Sequence, residues 1–205
     1  MQSRKKIIAI IGASSASKKL SQAAEQLGTL LIDKNFRIIC GGLFGVMEAI
    51  SRGARRSVKH LDGDIIGILP GFNKSDANEY IDIVIPTGFG YARNLIIVTA
   101  ADVVVAIGGG AGTLSEISFA WQFQKPIIAL DFEPRKTISE KIDSLSDTDF
   151  EKTIGWSSIM GELKLDETRL DRIYSANTPG EVVERIEEIL EKTDSKKKIK
   201  LRYDK

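Results

Sequence analysis

Apolar residues recur along the chain in two alternating rhythms. Short, densely apolar stretches at 6–11, 37–40, 64–69, 81–85, 103–107 and 126–131 suit strands, whereas the longer stretches between them space their apolar positions three and four residues apart. Residues 16–34 carry Leu20, Ala23, Ala24, Leu27, Leu30 and Leu31 in that helical rhythm, and 45–58 carry Val46, Met47, Ala49, Ile50 and Ala54. Helices are likewise expected over 90–101 and 113–123. The stretch Val103-Val104-Val105-Ala106-Ile107 is apolar on both faces, which suits a central strand covered from above and below. Such alternation predicts an α/β fold, a doubly wound, mainly parallel sheet with helices on both faces. The last third is patterned less sharply. A helix is expected over 138–144, an edge strand over 172–175, and a closing helix from Pro179 to residue 192, capped by Thr178.

Composition narrows the class without pointing to an activity. At 205 residues, with 42% apolar and 28% charged side chains, the chain suits one domain over 1–192, and no apolar run is long enough to cross a bilayer. The basic start of residues 1–12 leads into an apolar run that breaks early into Gly and Ser, so it reads as a first strand rather than a secretory leader, and the protein as cytoplasmic. Residues 192–205 hold seven cationic side chains against Asp194 and Asp204, so the rest of a chain whose net charge is +1 is weakly acidic. That body is a poor platform for nucleic acid, and 193–205 is expected to be a solvated, frayed tail. Cys40, the single cysteine, ends an apolar run and is expected to be buried. His60, the single histidine, is expected in a surface loop; with no second histidine, no Ser-His pair or metal site is expected.

Three glycine-bearing turns follow strand stretches: Gly12-Ala13-Ser14-Ser15, Gly41-Gly42-Leu43-Phe44-Gly45, and Gly108-Gly109-Gly110-Ala111-Gly112-Thr113. In a Rossmann-like sheet ligands bind beyond the carboxyl ends of the strands, where strand order reverses, so the three turns are expected to meet at one crevice. Glycines let a ligand approach the backbone, and the free amides of a helix starting near Thr113 favour an oxyanion such as phosphate. Glu116, one turn into that helix, opposes an anion unless it points elsewhere or acts on a neutral part of the ligand. The polar stretch 72–80 is long enough to act as a lid.

Common phosphate motifs fail against these turns. A Walker loop needs a lysine between its last glycine and the Ser/Thr, but Gly112 is followed directly by Thr113. The dinucleotide fingerprint G-x-G-x-x-G is absent from Gly12-Ala13-Ser14-Ser15, and the second strand ends in Cys40-Gly41-Gly42 instead of an acid. A hydrolase elbow fails because Ala16 stands where its second glycine belongs.

The segment 87–116 resembles the LOG (Lonely Guy) family of nucleoside 5′-monophosphate phosphoribohydrolases. Gly109 to Glu116 matches that family's GGxGTxxE, Arg93 in Tyr91-Ala92-Arg93-Asn94 occupies its arginine position, and Gly41 to Glu48 is similar to its GGxxGLM turn. The likeness spans about residues 5–131. Asn94 replaces a lysine common after the arginine, Gly108 a proline common before the glycines, and Glu48 a common glycine. These variants resemble a sister branch that includes molybdenum cofactor carrier proteins.

Two functions are therefore implied. In the first, the protein hydrolyses the N-glycosidic bond of an AMP-like nucleotide without a cofactor: Glu116 stabilises the ribosyl cation and orients water, and Arg93 holds the ribose or phosphate. Gly12, Ser14, Ser15, Gly41, Gly42, Gly108, Gly109, Gly110, Ala111, Gly112 and Thr113 would bind the ligand and its phosphate. In the second, the same crevice is a non-catalytic carrier for molybdenum cofactor or another phosphorylated pterin-like molecule, and Arg93 with Glu116 form an ion pair between two helix starts. Apolar residues around much of 90–101 and 113–123 point to a homodimer or homotetramer.

Overall fold

The computed structural model describes residues 4–130 and 173–203, with the backbone alone from 194 onward. Each of the expected strands within that range forms: β1 (Ile7–Gly12), β2 (Arg37–Cys40), β3 (Ile65–Leu69), β4 (Ile83–Pro86), β5 (Val103–Ile107), β6 (Ile127–Leu130) and β7 (Ile173–Ala176). They make one sheet in the order β4-β3-β2-β1-β5-β6-β7, parallel throughout. The chain winds outward from β1 to β4 and then crosses back to place β5 on the other side of β1. Strand order therefore reverses between β1 and β5, which are paired from Ile8 with Val103 to Gly12 with Ile107.

Alternate residues of the central strands enter different cores. Ile8 and Ile10 of β1 and Val103, Val105 and Ile107 of β5 face α1 (Lys18–Asp33), α2 (Val46–Arg56) and the closing helix α5 (Pro179–Tyr203). Ala9, Ile11, Val104 and Ala106 face α3 (Asn94–Ala100) and α4 (Ala111–Gln122). Val103, Val104 and Val105 are wholly buried, each contributing roughly 1.5–3 kcal/mol of transfer free energy, so the strand carrying the third glycine turn is firmly seated. On α3 and α4, Ile97, Val98, Ile117 and Ala120 are buried in this second core, Ile96, Phe119 and Trp121 pack half-buried against it, and Leu95 and Phe123 remain exposed.

The structure redraws several element boundaries. Gly88 and Gly90 adopt φ of 69° and 54°, outside the right-handed helical region, so residues 90–101 divide into a 3-10 turn, Gly90–Arg93, and the shorter α3. The helix expected from Thr113 begins at Ala111. The closing helix, expected to end at residue 192, runs on through Tyr203, since no Gly or Pro after Gly180 interrupts a run rich in Glu, Lys, Ile and Leu. The stretch 72–80 is no free flap. Asn78, 6% exposed, donates from its amide to the Gly42 and Leu43 carbonyls, and the Phe72 ring lies against Gly88. The helix expected over 138–144 lies outside the described residues, as do Asp131 and Arg172. No helix among the described residues is long and apolar enough to cross a membrane.

At the amino ends of the strands, buried carboxylates are fully engaged. Asp64 accepts from Lys5 Nζ at 2.7 Å and from the Leu61 amide at 3.1 Å. Asp82 accepts from the Ile65 amide at 2.9 Å and pairs with Arg55 at 2.9 Å and His60 Nε2 at 3.0 Å. His60 lies in the loop after α2, as expected, but its ring is largely buried against an acid.

Candidate functional site

The three glycine turns meet at the carboxyl ends of the strands through direct bonds. The Ala13 amide donates to the Ile107 carbonyl at 3.3 Å, joining the β1 and β5 turns, and the Val46 amide donates to the Ala13 carbonyl at 3.0 Å, joining the β2 and β1 turns. Gly12 and Ala13 are half-buried there, and Ser14 and Ser15 are exposed at the rim.

The third turn owes its path to its glycines. Gly108 and Gly109 take φ of 56° and 117°, and a side chain on Gly109 would collide with the Thr113 hydroxyl. Gly110 then starts α4 without a capping side chain. The amides of Ala111, Gly112 and Thr113 therefore lack intrahelical partners, and the positive end of the helix dipole opens on the crevice. Thr113 itself is 3% exposed, with its hydroxyl turned toward Gly109, so the turn presents backbone rather than that hydroxyl.

Arg93 reaches the crevice from the end of the 3-10 turn before α3, and Glu116 from the second turn of α4. Their side chains are 11% and 9% exposed, and Arg93 Nη1 lies 3.5 Å from Glu116 Oε1, an ion pair without hydrogen-bond geometry. Arg93 Nε and Nη1 are buried with no hydrogen-bond acceptor. The guanidinium lies against Gly41, where a Cβ would stand 2.8 Å from Nη1 and 2.6 Å from Met47 Sδ. Gly41 is thus the seat of Arg93. Gly42 is buried behind it, packed on β3, with its carbonyl taken by Asn78.

Electrostatics follow from this burial. Desolvation pushes the Glu116 carboxyl up to about 7, against the opposing pull of the Arg93 charge. It also pulls Arg93 below the usual guanidinium range. Cys40, fully buried beneath the pair, has its thiol pushed up by the same loss of water and is inert toward nucleophilic chemistry.

Asn94 is the contributor that pattern alone did not assign. It is 2% exposed, and its amide donates to Ser115 Oγ at 2.9 Å and to the Gly112 carbonyl at 3.4 Å; Ser115 Oγ donates to the same carbonyl at 2.7 Å. Residue 94 therefore ties the Arg93 turn to the start of α4, and fixes the spacing between Arg93 and Glu116. Its occurrence directly after the arginine was the signal available in the sequence. Glu48, the other departure from the LOG pattern, bonds Arg52 one turn along α2 at 3.3 Å. Among the described residues no three His, Cys, Asp or Glu side chains gather closely enough to hold a metal ion.

The chain is similar to several known proteins. An uncharacterised protein from Archaeoglobus fulgidus is 40% identical over 123 residues, 60% of this chain and 78% of its own length. The probable cytokinin riboside 5′-monophosphate phosphoribohydrolase LOGL9 of Oryza sativa subsp. japonica is 29% identical over 121 residues, 57% of this chain and 52% of its own. Among solved structures, the molybdenum cofactor binding protein from Rippkaea orientalis is 31% identical with a TM-score of 0.67, over 91% of this chain and 98% of that one. The SLOG cluster4 family model matches residues 5–154, a span holding all three glycine turns, Arg93 and Glu116, and the chain belongs to that family.

Proposed function

We propose that the crevice binds a phosphorylated small molecule and that the protein is a nucleoside 5′-monophosphate phosphoribohydrolase. The observation that carries this reading is the Arg93–Glu116 pair, 3.5 Å apart beside the open start of α4, with the carboxyl near 7. The amides of Ala111 to Thr113 suit a 5′-phosphate. A carboxyl titrating near neutrality suits a group that must be ionised to steady a ribosyl cation and accept a proton from water. Water adds at C1′ as the bond to the base nitrogen breaks; the base leaves with the electron pair and a proton, and ribose 5-phosphate remains. Arg93, with Nε and Nη1 unpartnered, can hold the ribose or phosphate by charge-assisted hydrogen bonds. The likeness to LOGL9 supports the same chemistry.

Incubation with a panel of nucleoside monophosphates, followed by assay of free base and ribose 5-phosphate, tests the proposal. Turnover is expected with at least one of them, and Glu116→Ala should lower kcat by 100-fold or more, within the usual range for losing an acid-base group (about 10²–10⁴). Turnover indifferent to that substitution would remove Glu116 from the mechanism.

A second reading, a carrier whose cargo is molybdenum cofactor, has its own observation. Gly108 takes φ of 56°, a value proline cannot adopt, so the backbone here departs from the Pro-Gly-Gly turn of LOG enzymes. The likeness to the Rippkaea orientalis protein over nearly its whole length supports it. Mass spectrometry of small molecules that copurify with the protein separates the readings: a carrier retains a phosphorylated pterin and yields no ribose 5-phosphate from nucleotides.

A further inference from the structure

One guanidinium in the crevice faces two claims. Arg93 is the cation paired with Glu116, at 3.5 Å, and its unpartnered Nε and Nη1 are also the side-chain donors free for a ligand oxyanion. Among the described residues, the groups around Glu116 offer no second counter-charge. The end of β2 brings Cys40, a buried neutral thiol; α3 brings Asn94, whose amide is spent on Ser115 and Gly112; and β1, β5 and β6 present aliphatic residues to α4. An empty site thus balances one positive against one negative charge. A dianion arriving at the start of α4 would leave the Glu116 carboxylate sharing its one cation with a second anion in a poorly hydrated crevice, where like charges repel strongly.

We infer that the crevice takes its phosphate-bearing ligand together with one proton, held on the Glu116 carboxyl. Neutral Glu116 removes the repulsion, frees Arg93 for the ligand, and gains an O–H that can donate to a ligand oxygen. Burial already holds the Glu116 carboxyl up at about 7 in the empty site, so near neutral pH the proton is taken up at modest cost. The sign of the resulting pH dependence is distinctive. An ordinary phosphate site strengthens as the phosphate loses its second proton near pH 6. This one weakens as pH rises above about 7, because ionised Glu116 must be reprotonated before the anion can enter. The inference rests on the phosphorylated-ligand reading above; where the ligand is cleaved, the protonated complex is the resting one, and Glu116 acts on water only in the fraction of complexes that has lost that proton.

Inorganic sulfate is the discriminating probe, since it stays dianionic throughout and any proton exchanged belongs to the protein. Titration calorimetry at pH 7.5 in two buffers of different ionisation enthalpy is expected to show uptake of roughly 0.7 proton per sulfate bound, approaching the ionised fraction of a carboxyl at about 7. Affinity for sulfate should fall by about tenfold or more between pH 6.5 and 8.5. Glu116→Gln should abolish both the uptake and the pH dependence; if that variant does not fold, the pH profile of the wild-type protein carries the test. Sulfate or AMP bound without proton uptake overturns the inference alone. Failure of the wild-type protein to bind either probe overturns the phosphorylated-ligand reading as well.

Discussion

The two ends of the sheet treat buried charge in opposite ways. At the amino ends, Asp82 is fully buried and saturated by Arg55, His60 and the Ile65 amide, and Asp64 by Lys5 and the Leu61 amide. At the carboxyl ends, Glu116 has one cation at 3.5 Å, and that cation has two buried nitrogens without acceptors. Both ends bury ions at a cost in desolvation, but only the first recovers it within the chain. The saturated end ties strands together. The unsaturated end retains binding capacity for something outside the chain.

The saturated end is where a substitution should cost most stability. Asp82→Ala leaves the buried Ile65 amide without an acceptor and removes the partner of His60 and of the half-exposed Arg55, and is expected to lower unfolding free energy by about 1–3 kcal/mol in a denaturant titration, while a folded variant binds sulfate as the wild type does. A loss under about 1 kcal/mol, or a parallel loss of sulfate binding, would break the division between the two ends.

The unsaturated end should show itself next, in the pH dependence of stability. Folded Glu116 keeps its proton to about 7, whereas an ordinary glutamate loses it near 4.5. Its raised value therefore contributes stability that is complete below about 4.5 and lost as pH rises through 7. Between pH 4.5 and 8.5 the wild type should lose up to about 3 kcal/mol relative to Glu116→Gln, whatever constant offset the substitution brings. Parallel curves for the two proteins would show that Glu116 is as well solvated as an exposed acid.

Much of this contrast was legible in the chain, but unevenly. The apolar rhythm located the strands, because burial on one or both faces leaves a local periodic trace, but the strand order, with its reversal between β1 and β5, is a property of the assembled sheet. The rhythm also brought the glycine turns to one end, since parallel strands send all their carboxyl ends the same way. Arg93 and Glu116 were readable through the motif that surrounds them. The seat of Arg93 on Gly41 was not, because that contact joins positions 52 residues apart and depends on sheet register and the path of one side chain. The same holds for His60 against Asp82 and for Asn94 against Ser115: each is a polar pair between elements, and neither partner's neighbours in sequence mark it. The helix continues to Tyr203 because nothing after Gly180 breaks it, a signal that the high charge of this stretch masks.

Gly41→Ala should have the smallest effect on stability and sharpens the comparison most. Gly41 is not among the residues with positive φ, so alanine fits its backbone without strain. The atoms nearest the new Cβ belong to the Arg93 guanidinium and Met47 Sδ, toward the ends of flexible side chains, so the expected cost is about 1 kcal/mol, the low end for overpacking. The guanidinium, however, must leave its seat and its place beside Glu116. If Arg93 supplies the charge-assisted bonds that hold the anion, their loss should weaken sulfate binding by tenfold or more, since such bonds contribute about 1.5–3 kcal/mol. Retention of wild-type affinity in a folded Gly41→Ala protein would mean that the α4 amides hold the anion alone. Arg93 would then be only a counter-ion to Glu116, and the carboxyl ends would differ from the amino ends merely in how loosely they are paired.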